Sequence, residues 1–178
     1  SQQPHIKFGN IVLTKKRGIA AALSLLLLLN FAFLELQSIL TRTQDARNKG
    51  ITVISYYNWG IHPNSIVFDL WGVSDDKASV DVMRYLLQFS ERLKERNYSR
   101  VHLAFRGRKK FYLDGQYFKK LGQEYDFQNP LYTLRTFQQH LYRPSGEEAF
   151  RTWTGGLFGV MAEQMDDANE FHDQWYRK

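Results

Sequence analysis

An uncharged apolar run near the N-terminus is the clearest pattern in the chain. Residues 18–34 read GIAAALSLLLLLNFAFL, and only Ser24 and Asn30 among them are polar. A helix of this length measures about 25 Å, close to the roughly 30 Å hydrocarbon core of a bilayer. Because consecutive leucines cover every side of such a helix, a surface helix of a soluble domain is a poor explanation. We therefore predict a single transmembrane anchor helix over residues 18–40.

Two other interpretations of the apolar run stay open from the sequence. The first is a cleaved signal peptide, although no small-x-small cleavage site follows the run. The second is a buried core helix or a helix that mediates oligomerisation. Lys15, Lys16 and Arg17 directly precede the run and favour a cytoplasmic N-terminus by the positive-inside rule. The sequence thus predicts a single-pass membrane protein of the cell envelope, with its domain on the extracytoplasmic side.

After residue 50 the pattern becomes that of a folded domain. Short runs rich in β-branched and aromatic residues predict strands at 52–59, 65–71, 101–106 and 110–113. Helical periodicity predicts helices at 74–97, 116–123 and 155–176, and Ser74 is a suitable N-cap for the first of them. Residues 126–155 predict loops with one short strand or helix near 132–137.

The order of these elements predicts the fold class. A strand, a long helix and another strand form a right-handed crossover, so strands 65–71 and 101–106 should be parallel. We predict an α/β or α+β fold in which the transmembrane helix is followed by one mixed-sheet domain of about four or five strands with two main helices. The predicted organisation is a basic arm at 1–17, the anchor at 18–40, a polar stalk at 41–50 and the domain at 51–178.

The positive charge of the chain is concentrated beside the apolar run. Residues 1–49 contain seven Lys or Arg and two acidic residues, whereas residues 50–178 contain seventeen and sixteen, a net charge of only +1. Anionic lipid headgroups are the natural partner of charges that flank an anchor. Membrane lipid and another protein are therefore the expected partners, and the near-neutral domain counts against nucleic acid.

Three side chains are candidates for catalysis. In strand 65–71, Asp69 lies on the face opposite Ile66, Phe68 and Leu70, and the parallel strand places His102 and Arg106 on one face. A carboxylate beside an imidazole could perform acid–base chemistry on an anionic or carbohydrate-like substrate, as in a hydrolase. The alternative is a structural ion pair or hydrogen bond that satisfies a buried Asp69.

Two segments are candidates for anion binding. Arg106, Arg108, Lys109 and Lys110 surround a glycine turn between two strands, and Gly155 and Gly156 open the last predicted helix. Cations and free backbone amides can hold a phosphate, a sulfated sugar or a lipid headgroup. The alternatives are a solvated hairpin tip for the first segment and close helix packing for the second.

Metal and cofactor chemistry is not expected. The chain has no cysteine, which excludes disulfides and thiolate chemistry. Six candidate ligands crowd the last helix, but at 100° per residue the carboxylates lie opposite an apolar arc that contains Leu157, Met165 and His172. We therefore predict an acidic solvent face, a core histidine, no metal site and no cofactor.

The resulting functional hypotheses belong to three classes. The first is a non-enzymatic, membrane-anchored binding or assembly module, such as a subunit of a cell-envelope complex. The second is the hydrolase-like enzyme, and the third is a cytoplasmic-facing domain that binds nucleic acid or anionic lipid through the 106–110 turn. A large exposed apolar patch favours the first hypothesis, and a deep pocket that contains Asp69 and His102 favours the second.

Overall fold

The computed structural model describes residues 15–59 and 62–177. Most of the predicted basic arm lies outside these residues. Within these residues, five strands form one mixed sheet in the order β1-β2-β3-β4-β5, in which β2 and β3 are parallel and the other neighbours antiparallel. The strands are β1 Ile51–Asn58, β2 His62–Val73, β3 Arg100–Phe105, β4 Arg108–Asp114 and β5 Leu141–Tyr142.

The helices lie before, between and after the strands. They are α1 Lys15–Gln44, α2 Ser79–Arg92, α3 Gly115–Glu124, α4 Pro130–Thr136 and α5 Leu157–His172. Short 3₁₀ segments cover Ala46–Asn48 and Phe137–His140, and a π-helical turn covers Asp173–Arg177. The predicted fold class and the parallel pairing of the two central strands through the α2 crossover are confirmed.

The first helix of the domain begins five residues later than the sequence predicts. Ser74 does not cap it, because its hydroxyl donates to the Gly50 carbonyl at 3.1 Å. The cap lies at Ala78, whose amide donates to the Asp81 carboxylate at 2.9 Å. A tertiary hydrogen bond thus outweighs the local preference of serine for an N-cap position.

Aromatic side chains form much of the core between the sheet and the helices. Fully buried rings from the sheet, α2, α3 and the C-terminal helices contact one another: Phe68, Phe89, Phe111, Phe118, Phe137, Phe171 and Trp175. The Trp175 indole donates to the Ala104 carbonyl at 2.9 Å, which satisfies its only polar group. Packing therefore accounts for many of the aromatic residues of the domain.

The two halves of α1 have different environments. Residues 19–29 are exposed, whereas Leu34 in the C-terminal half of the helix is completely buried. The Ser38 hydroxyl donates to the Val53 carbonyl at 3.0 Å, and the Ser55 amide donates to the Glu35 carboxylate at 2.9 Å. These bonds satisfy backbone groups on the free edge of β1, so α1 protects an edge that would otherwise be open to pairing.

Residues 41–50, which the sequence suggests are a stalk, pack against the domain in the structure. The side chain of Asn48 is completely buried and donates to the Thr41 carbonyl at 2.8 Å and to Gln88 at 2.6 Å. Asp45 accepts hydrogen bonds from Arg47 and Gln88, and the Arg47 guanidinium holds the pKa of Asp45 well below its usual value. These polar residues are therefore partners of α2 and do not form a solvated linker.

By length and composition, residues Gly18–Gln44 can cross a membrane. In an apolar stretch of 18 residues within this segment, only 6% of the residues are buried in the structure. A buried core helix of the monomer, one of the interpretations left open above, does not fit such exposure.

Candidate functional site

Asp69 lies at the centre of the sheet and is 1% exposed. Its carboxylate accepts a hydrogen bond from the Tyr56 hydroxyl at 3.1 Å, and the Gly107 amide donates to its two oxygens at 3.0 and 3.1 Å. The predicted pairing of Asp69 with His102 or Arg106 is thus wrong: a neighbouring hydroxyl and a turn amide already satisfy the buried carboxylate.

The turn that binds Asp69 connects β3 to β4 through two residues. Arg106 and Gly107 have φ values of 48° and 81°, as a tight hairpin with the twist of its strands requires. The Arg106 side chain donates from Nε to the Trp71 carbonyl at 3.2 Å and lies over the Phe105 ring. Asp69 and Arg106 therefore both hold the turn against β2, by separate contacts.

His102 lies on the same face of the sheet as Asp69 but has different neighbours. It is 8% exposed, and its Nε2 is 3.4 Å from the amide nitrogen of Asn58. Burial, with Lys109 and Arg100 nearby, lowers the pKa of His102 to about 4. Burial, and then Asp69, raises the pKa of Tyr56 to about 12. At neutral pH this face thus presents a neutral imidazole and a protonated phenol.

The cations of the 106–110 turn have different surroundings. Lys109 donates to the side-chain oxygen of Asn58, and its ammonium lies 4.9 Å from the centre of the Trp59 ring. Arg108 is exposed, and Lys110 lines a cavity of about 310 Å³ with Phe111, Arg143 and Gln174. The Gly107 amide is occupied by Asp69. Arg106 and Lys109 thus contact other groups of the domain, and anion binding at this turn stays a prediction.

The last helix begins at Leu157, two residues later than the sequence predicts, so Gly155 and Gly156 lie immediately before α5. An added Cβ at either position would meet nothing within 4 Å, so close packing does not explain them. Both are exposed, together with the first three residues of α5. Anion binding at this helix start stays a prediction.

Leu157, Phe158 and Met165 of α5 form an exposed apolar surface that sequence reasoning missed. Helical periodicity placed Leu157 and Met165 in the core, but they are 64% and 44% exposed, and Phe158 is 86% exposed. The buried residues of the helix are Gln164, near its middle, and Phe171 and His172, at its C-terminal end. The predicted core position of His172 is confirmed. A helical pattern shows which residues share a face but not whether that face is covered.

Further exposed apolar side chains lie on α4 and directly before it. Phe127, Leu131 and Tyr132 are 75%, 55% and 50% exposed, and α4 contacts α5. We call these three residues and Leu157, Phe158 and Met165 the α4–α5 surface. The α5 helix also carries four acidic residues and no Lys or Arg: Glu163, Asp166, Asp167 and Glu170. By helical periodicity these carboxylates lie on the side of α5 opposite Leu157 and Met165.

A pocket of about 290 Å³ lies between α2, α3 and α4. Its lining is mostly apolar and includes Arg47, Arg84 and Glu124. Both arginines contact Asp45, at 2.7 and 3.7 Å, and Arg84 also contacts Asp81 at 2.8 Å. Glu124 lies 3.8 Å from Lys120, so each charged group of the lining already has a partner with which a ligand must compete.

Comparison of the chain with models of known families, with characterised proteins and with solved structures gives no match. The function must therefore be inferred from the geometry of the domain itself.

We predict that Asp69 is coupled to Tyr56 and not to Arg106. Asp69→Ala should lower the free energy of unfolding by about 2–4 kcal/mol, because the Tyr56 hydroxyl and the Gly107 amide lose their acceptor. In denaturant titrations a double-mutant cycle with Tyr56→Phe should give a coupling of about 1 kcal/mol, and a cycle with Arg106→Gln less than about 0.5 kcal/mol. A larger coupling to Arg106 than to Tyr56 would contradict these hydrogen-bond assignments.

Proposed function

We propose that this protein is a membrane-anchored, non-enzymatic binding module of the cell envelope that recruits a partner protein through the α4–α5 surface. The observation that carries the proposal is the exposure of Leu157 and Phe158, at 64% and 86%, next to one another on α5. Large apolar patches that are exposed to water are unfavourable in an isolated domain, and they are typical of interaction sites. The exposed apolar segment of α1 supports the anchor.

The pattern of α5 favours one kind of partner. Its four acidic residues lie on the side of the helix opposite Leu157 and Met165, so they face away from the apolar surface. A partner protein that offers an apolar groove would complement this surface. Helix-in-groove recognition uses side chains three and four positions apart, as in the spacing of Leu157, Met161 and Met165.

The geometry supports the other two hypotheses less well. The hydrolase hypothesis needs Asp69 and His102 as a reactive pair, but Asp69 is occupied by Tyr56 and Gly107. The hypothesis that the 106–110 turn binds nucleic acid or anionic lipid needs converging cations, but Arg106 and Lys109 each contact other groups of the domain.

Photo-crosslinking in the native membrane tests this proposal. A photoreactive amino acid in place of Phe158 should give one discrete adduct with a different protein, and the same residue in place of Arg108, which is also exposed, should not. Loss of the adduct with Met165→Glu would assign the contact to the α4–α5 surface. An adduct of two copies of this chain, or equal adducts from both positions, would overturn the proposed heterologous partner.

We also predict that Phe158 contributes nothing to folding. Phe158→Ser should change the free energy of unfolding by less than about 0.5 kcal/mol, because the side chain is 86% exposed. Denaturant titration of the full chain in detergent measures this directly. Phe171→Ser, at a completely buried ring of the same helix, is the matched control and should cost at least about 3 kcal/mol. A similar loss for both variants would place Phe158 in the folded core.

A further inference from the structure

The docking of α1 determines which end of the domain faces the apolar segment. Glu35 contacts Ser55 and Ser38 contacts Val53, so α1 and β1 run in opposite directions. Phe31, one turn closer to the apolar segment, stacks on Tyr56 at 6.4 Å. The C-terminal end of β1 is therefore the end nearest the membrane if α1 is the anchor.

The length of the apolar segment brings that end down to the bilayer surface. From Gly18 to Phe33 the helix rises only about 23 Å, whereas the hydrocarbon core is roughly 30 Å thick. The outer side of α1 stays apolar beyond Phe33, because Leu36, Ile39 and Leu40 are 50%, 39% and 36% exposed. The lipid-facing stripe of α1 thus continues alongside the part of α1 that contacts the domain.

The side chains at this end suit a headgroup layer. Trp59 follows β1 directly and is 78% exposed. The Arg96 guanidinium lies 4.8 Å from the centre of the Phe33 ring, at the level where the domain meets α1, and Arg96 and Arg100 are both exposed. Tryptophan and arginine are the residues that occupy membrane interfaces, the first by its amphipathic ring and the second by its long charged side chain.

We infer that the end of the domain formed by Trp59, Arg96 and Arg100 rests on an anionic bilayer, with the indole of Trp59 in the headgroup layer and the two guanidinium groups against lipid phosphates. This inference rests on the proposed role of α1 as the anchor. It gives the domain a fixed orientation on the membrane, because α1 is one continuous helix whose C-terminal half is packed on β1. The α4–α5 surface is then presented in a fixed orientation as well.

Quenching of tryptophan fluorescence tests the contact. The full chain is reconstituted in phosphatidylcholine vesicles with about one third phosphatidylglycerol, with and without lipids brominated near the headgroup. Brominated lipid should quench the wild type, and Trp59→Phe should abolish at least about half of that quenching. Trp71→Phe is the matched control. Trp71 is 44% exposed but lies near the C-terminal end of β2, which is the end of the sheet away from Trp59. Its replacement should leave the quenching of Trp59 in place.

The arginines are tested in the same vesicles. Replacing phosphatidylglycerol by phosphatidylcholine should reduce the quenching of Trp59, and Arg96→Gln with Arg100→Gln should remove this dependence on anionic lipid. An unchanged dependence in the double variant would overturn the assignment of the two guanidinium groups. Thermal melting checks that each variant is folded, as its exposed position leads us to expect.

A carbonate wash separates this inference from the proposed function. If the chain stays in the vesicles after the wash but Trp59→Phe does not change the quenching, α1 is an anchor and the contact of the Trp59 end with lipid is wrong. If the wash releases the chain from the vesicles, the proposed anchor itself is wrong. If the chain is retained after the wash and the quenching depends on Trp59, the result supports both the α1 anchor and the contact of the Trp59 end with lipid.

Discussion

A chain that begins at Lys49 should not form a stable domain, although the sequence alone suggests that the domain starts at residue 51. This truncation removes Leu34 and Asn48, which are completely buried, and the two side chains that bind the edge of β1. Loss of a buried leucine costs about 2–5 kcal/mol, and each lost hydrogen bond about 1 kcal/mol. The total of about 5 kcal/mol or more is comparable to the entire stability of a typical domain.

The matched control is a chain that begins at Phe31. It lacks most of the apolar segment but keeps Leu34, Glu35, Ser38 and Asn48, so it should unfold cooperatively in denaturant. The chain that begins at Lys49 should instead show no cooperative transition and should aggregate through the uncovered edge of β1. Equal stability of the two chains would mean that the C-terminal half of α1 is not part of the folded domain.

Replacement of Gly122 by alanine should destabilise the domain by about 3 kcal/mol or more. At this position α3 lies directly against α2, and an added Cβ would be 2.3 Å from the Ser90 carbonyl oxygen and 2.6 Å from its carbon. Both are backbone atoms of a buried residue, so no side chain can move to make room. The helices must separate, which weakens the packing of Phe89 on Phe118.

Gly159→Ala is the control for this effect, because it is the same substitution within a helix. An added Cβ at Gly159 meets nothing within 4 Å, so only the helix propensity changes. This variant should gain about 0.5–1 kcal/mol in denaturant titrations, opposite in sign to Gly122→Ala. A loss at Gly159 similar to that at Gly122 would show that contact between α2 and α3 is not the cause.

The hydrogen bonds of Asp69 differ from those that the strand pattern suggests. From the strand pattern, a buried carboxylate opposite Phe68 needs a partner, and the pattern offers His102 and Arg106 as charged candidates. The partner is instead the backbone of the turn that Arg106 and Gly107 form, because the hairpin folds the Gly107 amide back over the end of β2. Alternation along strands cannot show the position of a turn amide, which depends on the hairpin geometry.

The sequence by itself determined the elements and the topology of the central strands. Apolar alternation marks β1 to β4, helical periodicity marks α2 and α5, and the chirality of crossovers makes β2 and β3 parallel. The uncharged run of α1 is equally clear, because membrane-length apolar segments are rare in other contexts. These features are local, and each can be read from a few turns of helix or a few residues of strand.

Only the tertiary structure decided which faces are covered. The Leu157 side of α5 has the pattern of a core face but is exposed, whereas Thr41 and Asn48 have the composition of a linker but are buried. Both outcomes depend on neighbours distant in sequence: α1 packs on the edge of β1 and on α2, whereas Leu157 and Phe158 at the start of α5 are left exposed. Burial is a property of the assembled surfaces, and for that reason the exposed α4–α5 surface and the exposed side chains of Trp59, Arg96 and Arg100 at one end of the domain became visible only in the fold.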